Sequence, residues 1–108
     1  SADLADTLNN LGILQREERR LTEAALSLRG ALTAYRTAAR DQPDRFRQTI
    51  QRVEAKARNA IAAMTDGDEM RTLLVALKRF TKNNSPINTV AARQRIAETL
   101  IGANTYTF

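Results

Sequence analysis

The stretch that decides the fold is LADTLNNLGILQREERRLTEAALSLRGALTAY, residues 4–35. Its first half places apolar residues at spacings of three and four, which is the period of one face of an α-helix. That face consists of Leu4, Leu8, Leu11 and Leu14. Because Asp3 is a good N-cap residue, the pattern predicts a first helix from Asp3 to about Glu18, with the leucines turned toward the core.

The second half of the stretch returns to the helical period after a charged run at residues 17–20. Small and large apolar side chains share one face there, namely those of Ala24, Leu28, Ala31, Leu32, Tyr35 and Ala39. Thr22 can cap the start of this second helix, which we expect to end near Arg40. The sequence therefore predicts an antiparallel helix pair over residues 3–42.

Three further helices are predicted over residues 43–102. Pro43 suits the first turn of a helix, and the core stripe that follows consists of Phe46, Ile50, Val53, Ala57, Ile61 and Met64. Gly67 predicts a left-handed stop before a fourth helix that runs from about residue 69 to 82, and Gly102 predicts the end of a fifth over residues 88–101. We expect one all-α domain of about five antiparallel helices, with the N-terminal hairpin packed on a C-terminal helical cap and a tail at 103–108.

The composition excludes whole classes of chemistry. The chain has 108 residues, enough for one hydrophobic core, and it contains neither cysteine nor histidine. Disulfides, Cys/His zinc sites and imidazole or thiol catalysis are thereby excluded. We expect a non-enzymatic chain with no cofactor, metal or catalytic residues. No apolar run reaches the ~20 residues that span a bilayer, so a soluble, cytoplasmic chain is predicted, and its start at Ser1 suggests processing or excision from a larger protein.

Part of the hairpin resembles a tetratricopeptide repeat. The pattern of such a repeat has a large residue followed by a Leu-Gly pair, and then an alanine, a large apolar residue and a second alanine, all at fixed intervals. The matching residues are Leu8, Leu11, Gly12, Ala24, Leu28 and Ala31. Gly12 and Ala24 would let two helices approach closely. Gln15 replaces the expected tyrosine, and the closing proline comes late, at Pro43. The longer second helix is similar to the repeats of kinesin light chains. The resemblance covers about residues 3–46, and the rest is either a degenerate repeat with a cap or a different module.

The resemblance implies a partner-binding surface on the first helix, because the first helices of such repeats line a concave groove that binds peptides or partner helices. Carried over by position, the partner-binding residues are Asp6, Asn9, Asn10, Ile13 and Glu17. Asn10 is the strongest candidate, since the family often uses an asparagine directly before the Leu-Gly pair to bind a ligand backbone. The alternative is that Asn9 and Asn10 are simply solvated or bridge two helices.

The positive charge lies in the C-terminal half of the chain. The formal charge is +5 overall, and residues 1–42 contribute none of it. A basic half can bind nucleic acid, and the candidate anion-binding residues are Lys78, Arg79, Lys82, Arg93 and Arg95. No aromatic residues alternate with them for stacking on bases, so a solvated face is the simpler interpretation.

Three functional hypotheses follow from these patterns. The first is a protein-protein interaction module, a scaffold or adaptor within a larger system, that binds a protein or peptide partner. The second is a small basic helical domain that binds nucleic acid. The third is a helical module that associates with copies of itself to form a homo-oligomer.

Overall fold

The computed structural model describes residues 2–65, 67–76 and 90–102, and these residues form five α-helices. The helices are α1 (Ala2–Glu17), α2 (Leu21–Ala39), α3 (Pro43–Ala62), α4 (Gly67–Ala76) and α5 (Val90–Ile101). The described ranges contain no β-strand. The prediction of an all-α fold with about five helices is therefore confirmed. The predicted helical residues 77–82 and 88–89 and the tail 103–108 lie outside the described residues.

Helix α2 is the centre of the molecule, because it contacts each of the other four helices. Three-residue connections join α1 to α2 and α2 to α3, and such short links make consecutive helices antiparallel neighbours. As a result, α1 and α3 both run antiparallel to α2 and therefore in the same direction as each other. They lie next to each other along one side of α2. The largest fully buried side chains come from α2 to α5 and the α3–α4 connection, namely Leu28, Leu32, Val53, Ile61, Met64, Met70, Leu73, Ile96, Leu100 and Ile101.

The contact between α1 and α2 is close because small residues lie in it. A Cβ atom added to Gly12 would lie 2.8 Å from the side chain of Leu28 and 3.3 Å from the backbone oxygen of Ala24. Ala24 and Ala31 are both fully buried. The predicted role of Gly12 and Ala24, to let two helix backbones approach, is thus confirmed.

The predicted inward face of α1 is wrong. Leu4, Leu11 and Leu14 are 58%, 41% and 51% exposed. The face that α1 turns to α2 consists of Ala5, Leu8, Gly12 and Gln15. Leu8 belongs to both faces, and the other three contact residues each follow one of the exposed leucines by one position, so periodicity alone does not separate the two faces. The close approach at Gly12 decides between them, because a leucine at that position would collide with Leu28 and Ala24.

The helix ends differ from prediction in three details. Arg19 has a φ of 58°, and the N–H of Arg20 donates to the carbonyl of Gln15 over 2.8 Å, so α1 ends in a Schellman-type turn without glycine. Thr22 does not cap α2, because its hydroxyl donates to the backbone oxygen of Glu69. Gly67 opens α4 and has no positive φ, whereas Gly102, with a φ of 72°, ends α5 as predicted.

Candidate functional site

A groove lies between α1 and α3, above α2. It has a volume of about 370 Å³. Gly12 of α1 and Leu28 of α2 form its floor, and the residues on its sides are Ile13, Arg16 and Glu17 of α1 and Lys56 of α3. The groove therefore has an apolar base and a charged rim that carries two cations and one carboxylate.

The absence of a side chain at Gly12 makes this groove deep enough to reach α2. Because Gly12 has no side chain, Leu28 closes directly against the α1 backbone and forms the apolar base. Ile13 is only half-buried, so part of its side chain can still be covered by a ligand. The groove can thus accept an apolar group at its base and polar groups at its rim, as ligand sites in proteins commonly do.

The five partner-binding residues that the repeat resemblance implies do not all lie at the groove. Ile13 and Glu17 line the groove. Asn9 is half-buried, one helical turn before Ile13 on the same side of α1, and its Oδ1 is buried without a hydrogen-bond partner. Asn10 is exposed and does not line the groove. Asn9 does not line the groove either, but its position on the same side of α1 as Ile13 and its unpartnered Oδ1 make it the stronger candidate of the two asparagines.

Asp6 lies near the N-terminal end of α1, in a cluster of side chains that connects three helices. Its Oδ1 accepts a hydrogen bond from the hydroxyl of Tyr35 in α2, and the ring of Tyr35 lies 6.0 Å from the ring of Phe46 in α3. The guanidinium of Arg45 lies 5.0 Å above the Phe46 ring, within the range of a cation–π contact. Burial, together with the hydrogen bond to Asp6, raises the pKa of Tyr35 to about 12. This cluster therefore connects α1 to α3 through Tyr35 of α2.

The sequence reasoning missed Arg16 and Lys56 as parts of the groove. Arg16 lies three residues after Ile13, so its helical spacing alone could have placed it on the same side of α1. No signal in the sequence indicates Lys56, because its position depends on how α3 packs against α2. We find that Lys56 is half-buried at the rim.

The structure describes only two of the five predicted anion-binding residues. Lys78, Arg79 and Lys82 lie outside the described residues. Arg93 directs its Nη1 to the backbone oxygens of Ile61 and Ala62, each at 3.2 Å, at the C-terminal end of α3. Arg95 is exposed. Arg93 thus binds the end of a helix, which is a structural role for a cation.

A larger cavity of about 680 Å³ lies between α3 and α5. All three charged residues in its lining have partners within the protein: Arg58 and Glu98 form an ion pair at 3.4 Å, and Arg93 binds the end of α3. Residues 2–65, 67–76 and 90–102 hold no group of three acidic side chains that could bind a metal ion. None of the helices in these ranges is long and apolar enough to cross a membrane.

The groove between α1 and α3 therefore combines an apolar base, charged groups on both sides and a buried acceptor nearby that lacks a partner. No protein-family model, curated protein or solved structure matches the chain, and a role for the groove follows from these residues alone.

Proposed function

We propose that this chain is a non-catalytic protein-interaction module, and that the groove between α1 and α3 binds an extended segment of a partner polypeptide. The observation that carries the proposal is the groove itself, with Leu28 at its base, Ile13 beside it and charges on both sides. A peptide meets these requirements, because it offers apolar side chains, charged side chains and backbone N–H groups along one line.

Asn9 supplies a specific reason for a ligand with hydrogen-bond donors. A buried acceptor without a partner costs about 1–3 kcal/mol, and Oδ1 of Asn9 is such an acceptor. Asn9 does not line the groove, so a peptide N–H would reach this atom after the side chain turns toward the groove, and the hydrogen bond would remove that cost only in the bound state. Binding would therefore favour a polypeptide over a purely apolar ligand of the same size.

The close packing of α1 on α2 supports the further proposal that this hairpin is tetratricopeptide-like. The small residues Gly12, Ala24 and Ala31 are buried, and Gly12 packs against Leu28 and Ala24 across the hairpin. Helices α1 and α3 also run in the same direction on α2, as the first helices of two successive repeats would. A groove between two such helices is the surface that the resemblance implies for partner binding.

The test is selection of peptides by the intact chain from a phage library of random decapeptides, followed by fluorescence anisotropy with the selected peptides. We expect Ile13→Asp to weaken binding at least ~30-fold, because it replaces an apolar side of the groove, next to the Leu28 base, by a charge. Asn9→Ala is expected to weaken binding ~5–10-fold through loss of one hydrogen bond. Failure to select any peptide, or selected peptides that bind Ile13→Asp normally, would contradict the proposal.

Asn10→Ala is the matched control, because it makes the same change on the neighbouring residue, which is exposed and outside the groove. We expect it to bind the selected peptides within ~2-fold of the unchanged chain, as surface truncations outside an interface usually do. If Asn10→Ala were the more damaging of the two substitutions, the peptide would lie on the outer side of α1, and the groove would not be the site.

A further inference from the structure

The cavity between α3 and α5 exposes apolar surface that the described residues leave uncovered. Ile61 and Ala97 are buried where they line it, whereas Ala62 and Val90 are exposed. Val90 is 76% exposed, the largest fraction among the large apolar side chains of the described residues. Because the charged residues of the lining already have partners within the protein, we expect an occupant that is apolar and uncharged.

Residues 103–108, which we call the 103–108 segment, follow α5 and lie outside the described residues. They contain no charged side chain and two of the five aromatic residues of the chain, Tyr106 and Phe108. These two positions lie two residues apart, so both side chains point to the same side of an extended segment. Burying each of them removes about 150–250 Å² of surface from water, so this segment has the chemistry that the cavity requires.

We propose that the 103–108 segment folds back along α5 and places Tyr106 and Phe108 in the cavity between α3 and α5. The cavity volume of about 680 Å³ lies within the ~300–1,000 Å³ of sites that hold a drug-sized molecule. Two aromatic side chains are together about as large as such a molecule, so the cavity has room for both.

The chain that follows α5 is long enough to reach this cavity. Gly102 has a φ of 72°, a left-handed conformation that ends the helix and turns the chain away from the helix axis. Glu98, at the nearer end of the cavity lining, lies four residues before Gly102, or about 6 Å along the helix. Val90, at the farther end, lies about 18 Å from Gly102. Six extended residues span up to about 20 Å, so the 103–108 segment can run back along α5 beside the cavity.

Charge favours this segment over residues 77–89 as the occupant. Residues 77–89 directly precede Val90, which lines the cavity, but they carry three cations. The charged residues in the cavity lining are two arginines and one glutamate, so the lining repels further positive charge. The uncharged 103–108 segment meets no such repulsion.

The cavity is separate from the groove that we propose to bind a partner. Lys56 lines the groove and Arg58 lines the cavity, and these two positions lie about 200° apart around α3. The 103–108 segment can therefore occupy its cavity whether or not the groove binds a peptide.

Tyrosine fluorescence tests whether Tyr106 is covered. The chain contains no tryptophan, and Tyr35 is its other tyrosine, so the fluorescence of a Tyr35→Phe chain comes from Tyr106. Acrylamide quenching then measures the exposure of that ring. We expect a quenching constant at least ~3-fold below that of a peptide with the sequence of residues 99–108, because a buried ring is shielded from the quencher. Equal constants for chain and peptide would overturn the proposal.

Dilution separates a site within one chain from a site on a second copy. Protection of Tyr106 should be the same at ~1 µM and ~100 µM protein, because the effective concentration of a linked segment is in the millimolar range. Protection that disappears on dilution would overturn the proposal, since the ring would then lie against a second copy of the chain.

Disulfide cross-linking tests the location of the segment, since the chain contains no cysteine of its own. A chain with Ala62→Cys and Thr107→Cys should form an intramolecular disulfide with oxidised glutathione, because residue 107 lies between the two aromatic side chains that occupy the cavity. This chain retains Tyr35, so it tests the proposal even if circular dichroism shows that Tyr35→Phe is unfolded.

The matched control is a chain with Ala55→Cys and Thr107→Cys. Ala55 is exposed, does not line the cavity and lies on the same side of α3 as Ala62, seven residues earlier. It is also nearer to the end of α5, which lies beside Arg36, the ion-pair partner of Glu54. We expect the pair at positions 62 and 107 to cross-link at least ~5-fold faster than the control pair, because the cavity raises its effective concentration. Cross-linking of the control pair at an equal or higher rate would overturn the proposal.

Discussion

Replacement of Gly12 by alanine should destabilise the protein, although alanine is the better helix former. A Cβ at this position would lie 2.8 Å from both Cγ and Cδ2 of Leu28, and Leu28 is fully buried, so it has little room to move. Alanine gains about 1 kcal/mol in helix propensity, but overpacking a well-packed contact costs about 1–3 kcal/mol, and more where the backbone must shift. We expect a net loss of ~1–2 kcal/mol, because the backbone oxygen of Ala24 also blocks the new methyl group.

Gly30 provides a matched control within the same helix pair. A Cβ there would lie 3.1 Å from Cδ1 of Leu8, which is the end of a half-buried side chain that can rotate outward. We therefore expect Gly30→Ala to stabilise the chain by ~0.5–1 kcal/mol, close to the full gain in helix propensity. Urea unfolding followed by circular dichroism at 222 nm measures both variants. A Gly12→Ala variant at least as stable as the unchanged chain would refute the close-packing argument.

Three further predictions concern the hairpin. Arg19→Gly should stabilise the chain by ~0.5–1 kcal/mol in urea unfolding, because glycine adopts the observed φ of 58° without a steric cost; no gain would mean that this turn is unstrained. Tyr35 binds its proton more tightly in the folded chain than in the unfolded chain. Its contribution to the free energy of unfolding is therefore complete below the unfolded-state pKa of ~10 and is lost as the pH rises through the folded-state pKa of about 12. Stability should fall by ~2–3 kcal/mol over that interval, and Tyr35→Phe should lack this part of the decrease. Ser27→Ala should cost ~1–2 kcal/mol, because it leaves Oε1 of the buried Gln15 without the hydroxyl that donates to it over 2.6 Å; a neutral effect would show that water replaces the hydroxyl.

The fold could be predicted from the sequence because each helix carries its own local signals. Pro43 begins α3 and Gly102 ends α5 as expected, and the stripe from Phe46 to Met64 is largely buried. These features depend on residues within one or two turns of each other. The boundaries of α1, α2 and α3 were accordingly correct to within about two residues, and the largest difference is at the end of α3, which lies two residues before Met64.

The orientation of α1 could not be predicted, because it depends on how closely two helices approach. Large leucines at regular spacing indicate an amphipathic face, but they do not say which neighbour covers it. In this chain the nearest neighbour packs against Ala5 and Gly12, and Leu4 and Leu11 remain outside. The groove could likewise be predicted only in part. The resemblance to known repeats implies Ile13 and Glu17, whereas Lys56 lies beside them only because α3 packs along the same side of α2.

A pair of substitutions two residues apart tests which side of α1 the partner contacts. Leu11 is 41% exposed and lies about 200° around the helix from Ile13, so Leu11→Asp should bind selected peptides within ~2-fold of the unchanged chain. Ile13→Asp puts the same charge on a residue that lines the groove, so it should lose peptide binding. Fluorescence anisotropy measures binding, and circular dichroism shows that both variants are folded. If Leu11→Asp weakened binding as much as Ile13→Asp in a folded chain, the partner would cover the outer side of α1, and the groove would not be the site.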